Sequence, residues 1–438
     1  MVAQPKRTPV DQAADQAVRR SQEYFRRTQH PEGYWWGELE SNPTMEAEYL
    51  MLCYFTGRHD PERWRKVCNY ILSKQRTDGS WGQYYEAPGD LSTSVECYFA
   101  LKLAGHSPDS EPLRKAREFI LSKGGMPKVR IFTKIWLALF GQWDWKGTPK
   151  MPPEMIFLPS WAPFNIYEFA SWARATMVPM LVILTRQPYC PVPESANIDE
   201  LYPSGRDGTD YTLPKPTGGF GWAKGLYWSD KLVGLYQKLP VHPLRGRAEQ
   251  KIIRWVLKHQ EADGSWAGIQ PPWVYSLIAL HTMGYGSEHE AVKKGFQGFE
   301  TFALENEDKC NVQACISPVW DTCIAQLALV ESGVAPDDPM VQSSARWLMD
   351  KQVFAGGDWQ VRAKTVRPGG WSFEFDNQIY PDIDDASIVV MALDQVRLPE
   401  AEESRRADSI LRGVEWMAGM QSKNGGWAAF DKDNNKKY

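Results

Sequence analysis

One spacing constrains this chain more than anything else in it: Gln, Gly and Trp recur as Gln29, Gly33 and Trp35; Gln75, Gly79 and Trp81; Gln260, Gly264 and Trp266; Gln421, Gly425 and Trp427. Each Gln follows an aromatic residue five positions earlier, Tyr24, Tyr70, Trp255 and Trp416 in turn. A fifth copy runs from Trp347 to Gln352 and continues into GGDW, with Trp359 displaced by one position. A sixth frame, Phe119 to Gly124, keeps the aromatic and loses the Gln and Trp. The physical reading is a helix C-terminus whose last turn carries the aromatic and the Gln, then a tight turn at Gly, then a Trp folded back on the helix. A buried Gln there can bond backbone N–H and C=O groups of the turn and so pin the connection between helices.

Between these turns lie helix-length segments of apolar periodicity, near 63–74, 92–104, 113–122, 130–140, 166–186, 247–259, 273–283, 320–332, 341–351 and 404–420. Strand signals are few. Helix pairs that repeat with Gly- and Pro-rich connections predict an all-α fold in which inner and outer helices alternate around α/α barrels. The stretch 196–220, rich in Pro, Gly and Asp, reads as a long surface excursion. It precedes a helix expected over 226–239, where Trp228, Leu232, Leu235 and Leu239 fall on one face, flanked by Tyr227, Tyr236, Lys224, Lys231 and Lys238. Such a helix either joins the core or lies in a membrane interface.

Composition narrows the function. A length of 438 residues suffices for two domains with cores of their own. A net charge of −4 carries no nucleic-acid footprint. Aromatic residues at 13%, 20 of them Trp, point to a lined cavity or to stacked aromatic-rich repeats. The cysteines, Cys53, Cys68, Cys97, Cys190, Cys310, Cys315 and Cys323, show no CxxC and no paired metal spacing, so a reduced cytosolic chain without structural zinc, and with no cofactor or metal, is expected. The first twenty residues lack an apolar signal core, and no run of about 18 apolar residues occurs, so neither export by a signal nor a membrane span is expected.

The chemistry concentrates in 369–392, GGWSFEFDNQIYPDIDDASIVVMA, where Asp382, Asp384 and Asp385 stand at the mouth of an apolar run. Pro381 interrupts what precedes, and Asp382 is a natural N-cap for a helix over about 384–396. An Asp run before an apolar helix is also the ordinary make-up of a solvated cap. Trp371, Phe373, Phe375 and Tyr380 just upstream could wall the carboxyls off from water, and crowded, desolvated carboxyls cannot all ionise.

Together the Gln–Trp turns, the motif Asp382-Ile383-Asp384-Asp385 and the longer stretches GYWWGELESNPTMEAEY (33–49), FNIYEFASWARAT (164–176), GIQPPW (268–273), SPVWDT (317–322) and PGGWSFEFDN (368–377) resemble the squalene–hopene cyclases, bacterial class II triterpene cyclases. The resemblance runs from about residue 34 to 434. It implies two α/α barrels, one complete and one partial: an inserted barrel over 39–316, and a catalytic barrel formed by a helix within 1–38 and by 317–438, its C-terminal half missing. It implies a reaction, the protonation-initiated cyclisation of squalene or a similar polyprene into a hopanoid, at the cytoplasmic face of a membrane to which the chain is bound monotopically. An isolated alkene is a very weak base, so its protonation needs a strong acid in a dry pocket.

By position within matching motifs, Asp384 corresponds to the proton donor and Asp382 and Asp385 to its anionic and hydrogen-bonded neighbours, all three expected to face one apolar cavity. Trp172, Trp320 and Phe373 resemble the aromatic lining that stabilises the cations, and plain core packing is the other role open to each. Ile269 resembles the steric wall against misfolded substrate, Glu48 the acid that assists the terminal water or deprotonation step, and Phe430 stands where some relatives carry a Tyr. The family's chain continues after GGWAAFDKDN (425–434) with an Asn-His-Ile-Pro segment whose histidine strengthens the acid; this sequence ends NNKKY, and its last histidine is His289. Two readings therefore stand: a cyclase, or a truncated, inactive helical module that binds apolar ligands or a partner. No detectable hopene is expected from the isolated chain, and activity once the segment is restored. A homodimer, or a separate chain supplying the missing half, would reconcile the two. A class II diterpene cyclase is the alternative within the enzymes.

Overall fold

In a computed structural model, residues 9–213 and 221–434 are described; residues 214–220 of the Pro-, Gly- and Asp-rich stretch and 435–438 of the terminal NNKKY lie outside them. Among the described residues the fold is all-α. Fifteen helices follow in order: α1 Pro9–Thr28, α2 Thr44–Phe55, α3 Pro61–Ser73, α4 Leu91–Leu103, α5 Glu111–Ser122, α6 Ile131–Leu139, α7 Ser171–Arg186, α8 Trp222–Gln237, α9 Arg245–Lys258, α10 Gln270–Thr282, α11 Glu290–Phe302, α12 Pro318–Glu331, α13 Pro339–Asp350, α14 Ile383–Asp394 and α15 Glu400–Met420. Two antiparallel ribbons, Trp81–Gly82 with Gly89–Asp90 and Ala303–Glu305 with Cys310–Val312, are the only paired strands among them.

Contacts divide the chain into a larger unit, Leu39–Cys315, and a smaller one made of residues 9–38 and 316–434. In the larger unit α2, α4 and α10 are buried around nearly their whole circumference, because their sequences offer water no polar face. They form an inner row in the order α6, α4, α2, α10, α7, each packed on the next. Amphipathic α3, α5, α11 and α9 lie outside α2, α4, α10 and α7 respectively. This alternation is the α/α barrel pattern. In the smaller unit α12 packs on α13 and α14, and α14 on α15. There α1 is held from outside: Arg26 pairs with Asp338 at 2.9 Å, and Gln22 donates to the carbonyl of Ser332 at 3.0 Å.

The repeated turns have one geometry. The indole N–H of Trp35, Trp81, Trp266 and Trp427 donates to the carbonyl ten residues back, that of Phe25, Ile71, Val256 and Met417, at 2.7–2.8 Å. The Gln amide donates twice, once to the turn Gly and once to the helix that follows on the outside: Gln75 to Gly79 and Pro112, Gln260 to Gly264 and Ala291, Gln29 to Gly33 and Met340. Both acceptors are carbonyls, so the clamp joins turn to neighbouring helix rather than bonding an N–H of the turn. Glycine is required by this proximity: a Cβ on Gly79 would lie 2.5 Å from the carbonyl carbon of Lys115, one on Gly264 2.1 Å from the oxygen of Lys294, and both glycines have φ near +90°.

The fifth copy departs from the sequence reading. Gln352 donates to Gly369 and Ser409, at 2.8 and 2.9 Å, and it is Trp371 whose indole donates to Leu348, at 2.7 Å. The turn is therefore closed by GGW at 369–371, and the loop between carries Trp359, whose indole nitrogen is buried without a partner. Gly369 lies seventeen positions after Gln352, where in the other copies the Gly lies four positions after its Gln. Three further differences concern helices. The segment 166–186 is broken into a single 3-10 turn, Ile166–Glu168, and α7, which starts at Ser171. The helices α2 and α11 lie outside the segments that periodicity predicts. Uniform burial removes the period from α2, while α11 carries it.

Candidate active site

In the smaller unit Pro381 and Asp382 turn the chain into α14. Asp382 is extended, with φ −125° and ψ 162°, and its Oδ1 accepts the backbone N–H of Asp385 at 2.8 Å. An N-cap and the residue three later share one face of a helix, so the carboxyls of Asp382 and Asp385 meet there and both are buried. Asp384 lies out of phase with them, and its side chain is exposed. Of the three acids expected to face one apolar cavity, Asp382 and Asp385 are therefore buried together and Asp384 is exposed.

Burial pushes the carboxyl of Asp385 well above the ordinary range, and the neighbouring Asp382, with Glu374 behind it, pushes it further. Burial also raises Asp382, but the hydrogen bonds it receives from Asp385 pull it back. The two carboxyls therefore do not ionise together, and burial with the neighbouring Asp382 and Glu374 pushes Asp385 furthest toward the protonated form. The other oxygen of Asp385, Oδ1, is buried without a partner. The surroundings are apolar: Trp371 is fully buried and gives its carbonyl to the N–H of Asp382 at 2.9 Å, and Cys323 of α12 is buried beside Asp385.

Trp320 and Phe373 are half-buried in the same unit, their rings 6.4 Å apart, and the carbonyl of Phe373 accepts the N–H of Val319. Trp320 also faces a groove of about 310 Å³ that it lines with Tyr24, Trp36 and Ile324. The half-buried Phe430 follows Ala429, whose carbonyl accepts the N–H of Ile383 at 2.9 Å, so this segment runs along the first turn of α14.

The other expected residues come together in the larger unit. A cavity of about 600 Å³ lies among α2, α6, α7 and α10, with Glu48, Trp172 and Ile269 in its wall. Apolar side chains such as Phe132, Phe169 and Met180 make up most of the lining, and the polar groups cluster around Glu48, Arg130 and Tyr275. Arg174, fully buried, donates to the carbonyls of Ile166 and Phe169 and so fixes the chain entering α7, where Trp172 stands.

Two partners of Glu48 escaped sequence reasoning. Burial holds its carboxyl well above the ordinary range, and Glu96 of α4 adds to that, while Arg130 opposes it. Glu96 is itself fully buried and raised by burial; it accepts from the hydroxyl of Thr133, and Nη2 of Arg130 lies 3.6 Å away. Two buried carboxyls with one guanidinium cannot both be charged cheaply, so one keeps a proton. The available signal was a lone Glu inside the apolar run SVECYFAL. Among the described residues no group of three or more His, Cys, Asp or Glu is arranged to hold a metal ion.

Residues 18–308 match the squalene-hopene cyclase N-terminal domain and residues 316–438 the squalene-hopene cyclase C-terminal domain. The chain is 46% identical over 420 residues to the squalene–hopene cyclase of Alicyclobacillus acidocaldarius, covering 95% of this chain and 65% of that one. It is 40% identical to the dammaradiene synthase of Dryopteris crassirhizoma, covering 97% and 61%, and 32% identical to the probable squalene–hopene cyclase of Sinorhizobium fredii, covering 99% and 67%. The chain thus spans about two thirds of the length of these relatives.

Proposed function

This chain belongs to the squalene–hopene cyclase family, and on that premise we propose that it performs a proton-initiated polycyclisation of squalene to hopene, or with water to hopanol, an isomerase-type reaction of hopanoid biosynthesis. The observation that carries this reading is the buried pair Asp382 and Asp385, which keeps a proton at neutral pH in apolar surroundings. A C–H bond forms at the terminal alkene as the O–H bond of the acid motif breaks, leaving a carboxylate and a tertiary cation. Aromatic faces stabilise such a cation without trapping it, by about 1 kcal/mol or more each when desolvated, a role suited to Trp320, Phe373 and Trp172. Ile269 restricts the fold of the substrate. The protonated pair of Glu48 and Glu96 is suited to managing the water or proton that ends the reaction.

A second reading, an inactive module that binds apolar ligands, is favoured by one observation, the exposure of Asp384, the residue that family resemblance makes the donor. Incubation with squalene in detergent, followed by gas chromatography and mass spectrometry, separates the two. Hopene or hopanol supports the first; bound but unaltered squalene supports the second.

The chain is also proposed to sit on the cytoplasmic face of a membrane without crossing it. No helix among the described residues is long and apolar enough to span a bilayer. Along α8 and just past its end, however, Trp228, Leu232, Leu235 and Leu239 are each more than half exposed, which is what an interfacial helix presents.

A further inference from the structure

The surface around α8 carries a charge asymmetry that its apolar stripe does not need. Two carboxylates at this helix are engaged. Oδ1 of Asp230 accepts the backbone N–H of Lys150 at 2.8 Å, and Oε1 of Glu154 accepts the Tyr236 hydroxyl at 2.9 Å, with Nε of Arg245 3.9 Å away. Lys231 and Lys238 are exposed and pair with no carboxylate among the described residues; Lys231 rests its ammonium 5.2 Å from the Tyr227 ring. Positions 231, 235 and 238 lie on one helical face, so both lysines flank the exposed Leu235.

The bonds made by Lys150 and Glu154 also tie a second segment to this helix. Just beyond the 3-10 turn Pro153–Phe157 the chain exposes Leu158 and, at 82%, Trp161. Behind it Lys251 donates to the carbonyl of Ile156 at 2.9 Å and lies 5.1 Å from the Phe157 ring. Tryptophan is the side chain that prefers the boundary between headgroups and acyl chains.

Building on the membrane reading above, we infer that this surface selects bilayers rich in anionic headgroups: Lys231 and Lys238 meet the headgroup phosphates, while Trp161 inserts as a second anchor beside the α8 stripe. Long lysine stems reach from an apolar seat to the headgroup layer, and the bonds of Asp230 and Glu154 occupy those two carboxylates.

Vesicle flotation of the purified chain tests this, with vesicles of phosphatidylcholine alone and of phosphatidylcholine mixed with phosphatidylglycerol. The mixed vesicles are expected to bind at least about tenfold more tightly at low salt, and added salt should erase the difference. Lys231→Gln and Lys238→Gln should each lower binding to the mixed vesicles by about fivefold and leave neutral vesicles unaffected. Trp161→Ser should weaken binding to both. Equal binding to the two vesicles, still lost when Trp228, Leu232 and Leu235 become Ser, would overturn the headgroup inference and leave the membrane reading standing. Binding to neither would end both.

Discussion

The backbone N–H of Asp385 reaches Oδ1 of Asp382 over 2.8 Å, so the cap that starts α14 and the buried acid pair are the same two residues. The two carboxyls carry different duties. Asp382 accepts the capping N–H, whereas Asp385 is the carboxyl that burial pushes furthest toward its neutral form. Asp385→Asn should therefore change unfolding free energy in urea by no more than about 1 kcal/mol at pH 7, and Asp382→Ala should cost about 1–2 kcal/mol through the lost cap. Equal losses from both would show that Asp385 is charged in the folded chain.

The fifth turn gives a sharper stability test. Trp371→Phe removes the bond to the Leu348 carbonyl and should cost about 1–3 kcal/mol, while Trp359→Phe removes an indole nitrogen that bonds nothing and should cost less. Thermal unfolding of the two variants side by side checks the order. If Trp359→Phe proves the costlier, the turn is closed where the sequence spacing first suggested.

That reversal shows what was legible. The Gln–Gly–Trp spacing predicts clamps because four copies keep it unbroken, and the same rule fails at Gln352 because a loop separates the Gln from its Gly. The cap Asp382 and the apolar run of α14 could be read from local chemistry, but which of the three carboxyls is buried depends on what packs against the start of α14. Amphipathic outer helices such as α3 and α9 announce themselves by period; α2 does not, since a helix buried on every side has no polar stripe to count. Glu96 and Arg130 are partners of Glu48 only through folding, on different helices or their ends.

Glu46 of α2 gives a prediction for pH. Its carboxyl is fully buried, which pushes its pKa up to about 8 despite an N–H from Val312 at 2.9 Å. Below the ordinary carboxylate pKa both folded and unfolded chains hold the proton. As pH rises toward 8 the unfolded chain loses it first, so stability falls over that window and levels off above it. Glu46→Gln keeps the acceptor for Val312 and has no proton to lose. It should gain on the order of a few kcal/mol over the native chain at pH 8 relative to pH 4, measured by urea unfolding at the two values. Parallel pH profiles for the two proteins would show that Glu46 is ionised at ordinary cost.

The aromatic lining is testable without turnover. An amine analogue of squalene, protonated at a position where a cation forms, should bind more weakly to Trp172→Ala than to the native chain, by about fivefold beyond any change for saturated squalane. Fluorescence titration with both ligands supplies the comparison. An equal loss for the two would make Trp172 an apolar wall and nothing more.

The most direct measurement is product analysis after incubation of the native chain, Asp382→Asn and Asp385→Asn with squalene. Hopene or hopanol is expected from the native chain, with a loss of at least about a hundredfold in both variants, since each removes a member of the proton-holding pair. Squalene recovered unchanged from the native chain, or product that persists in both variants, would contradict it.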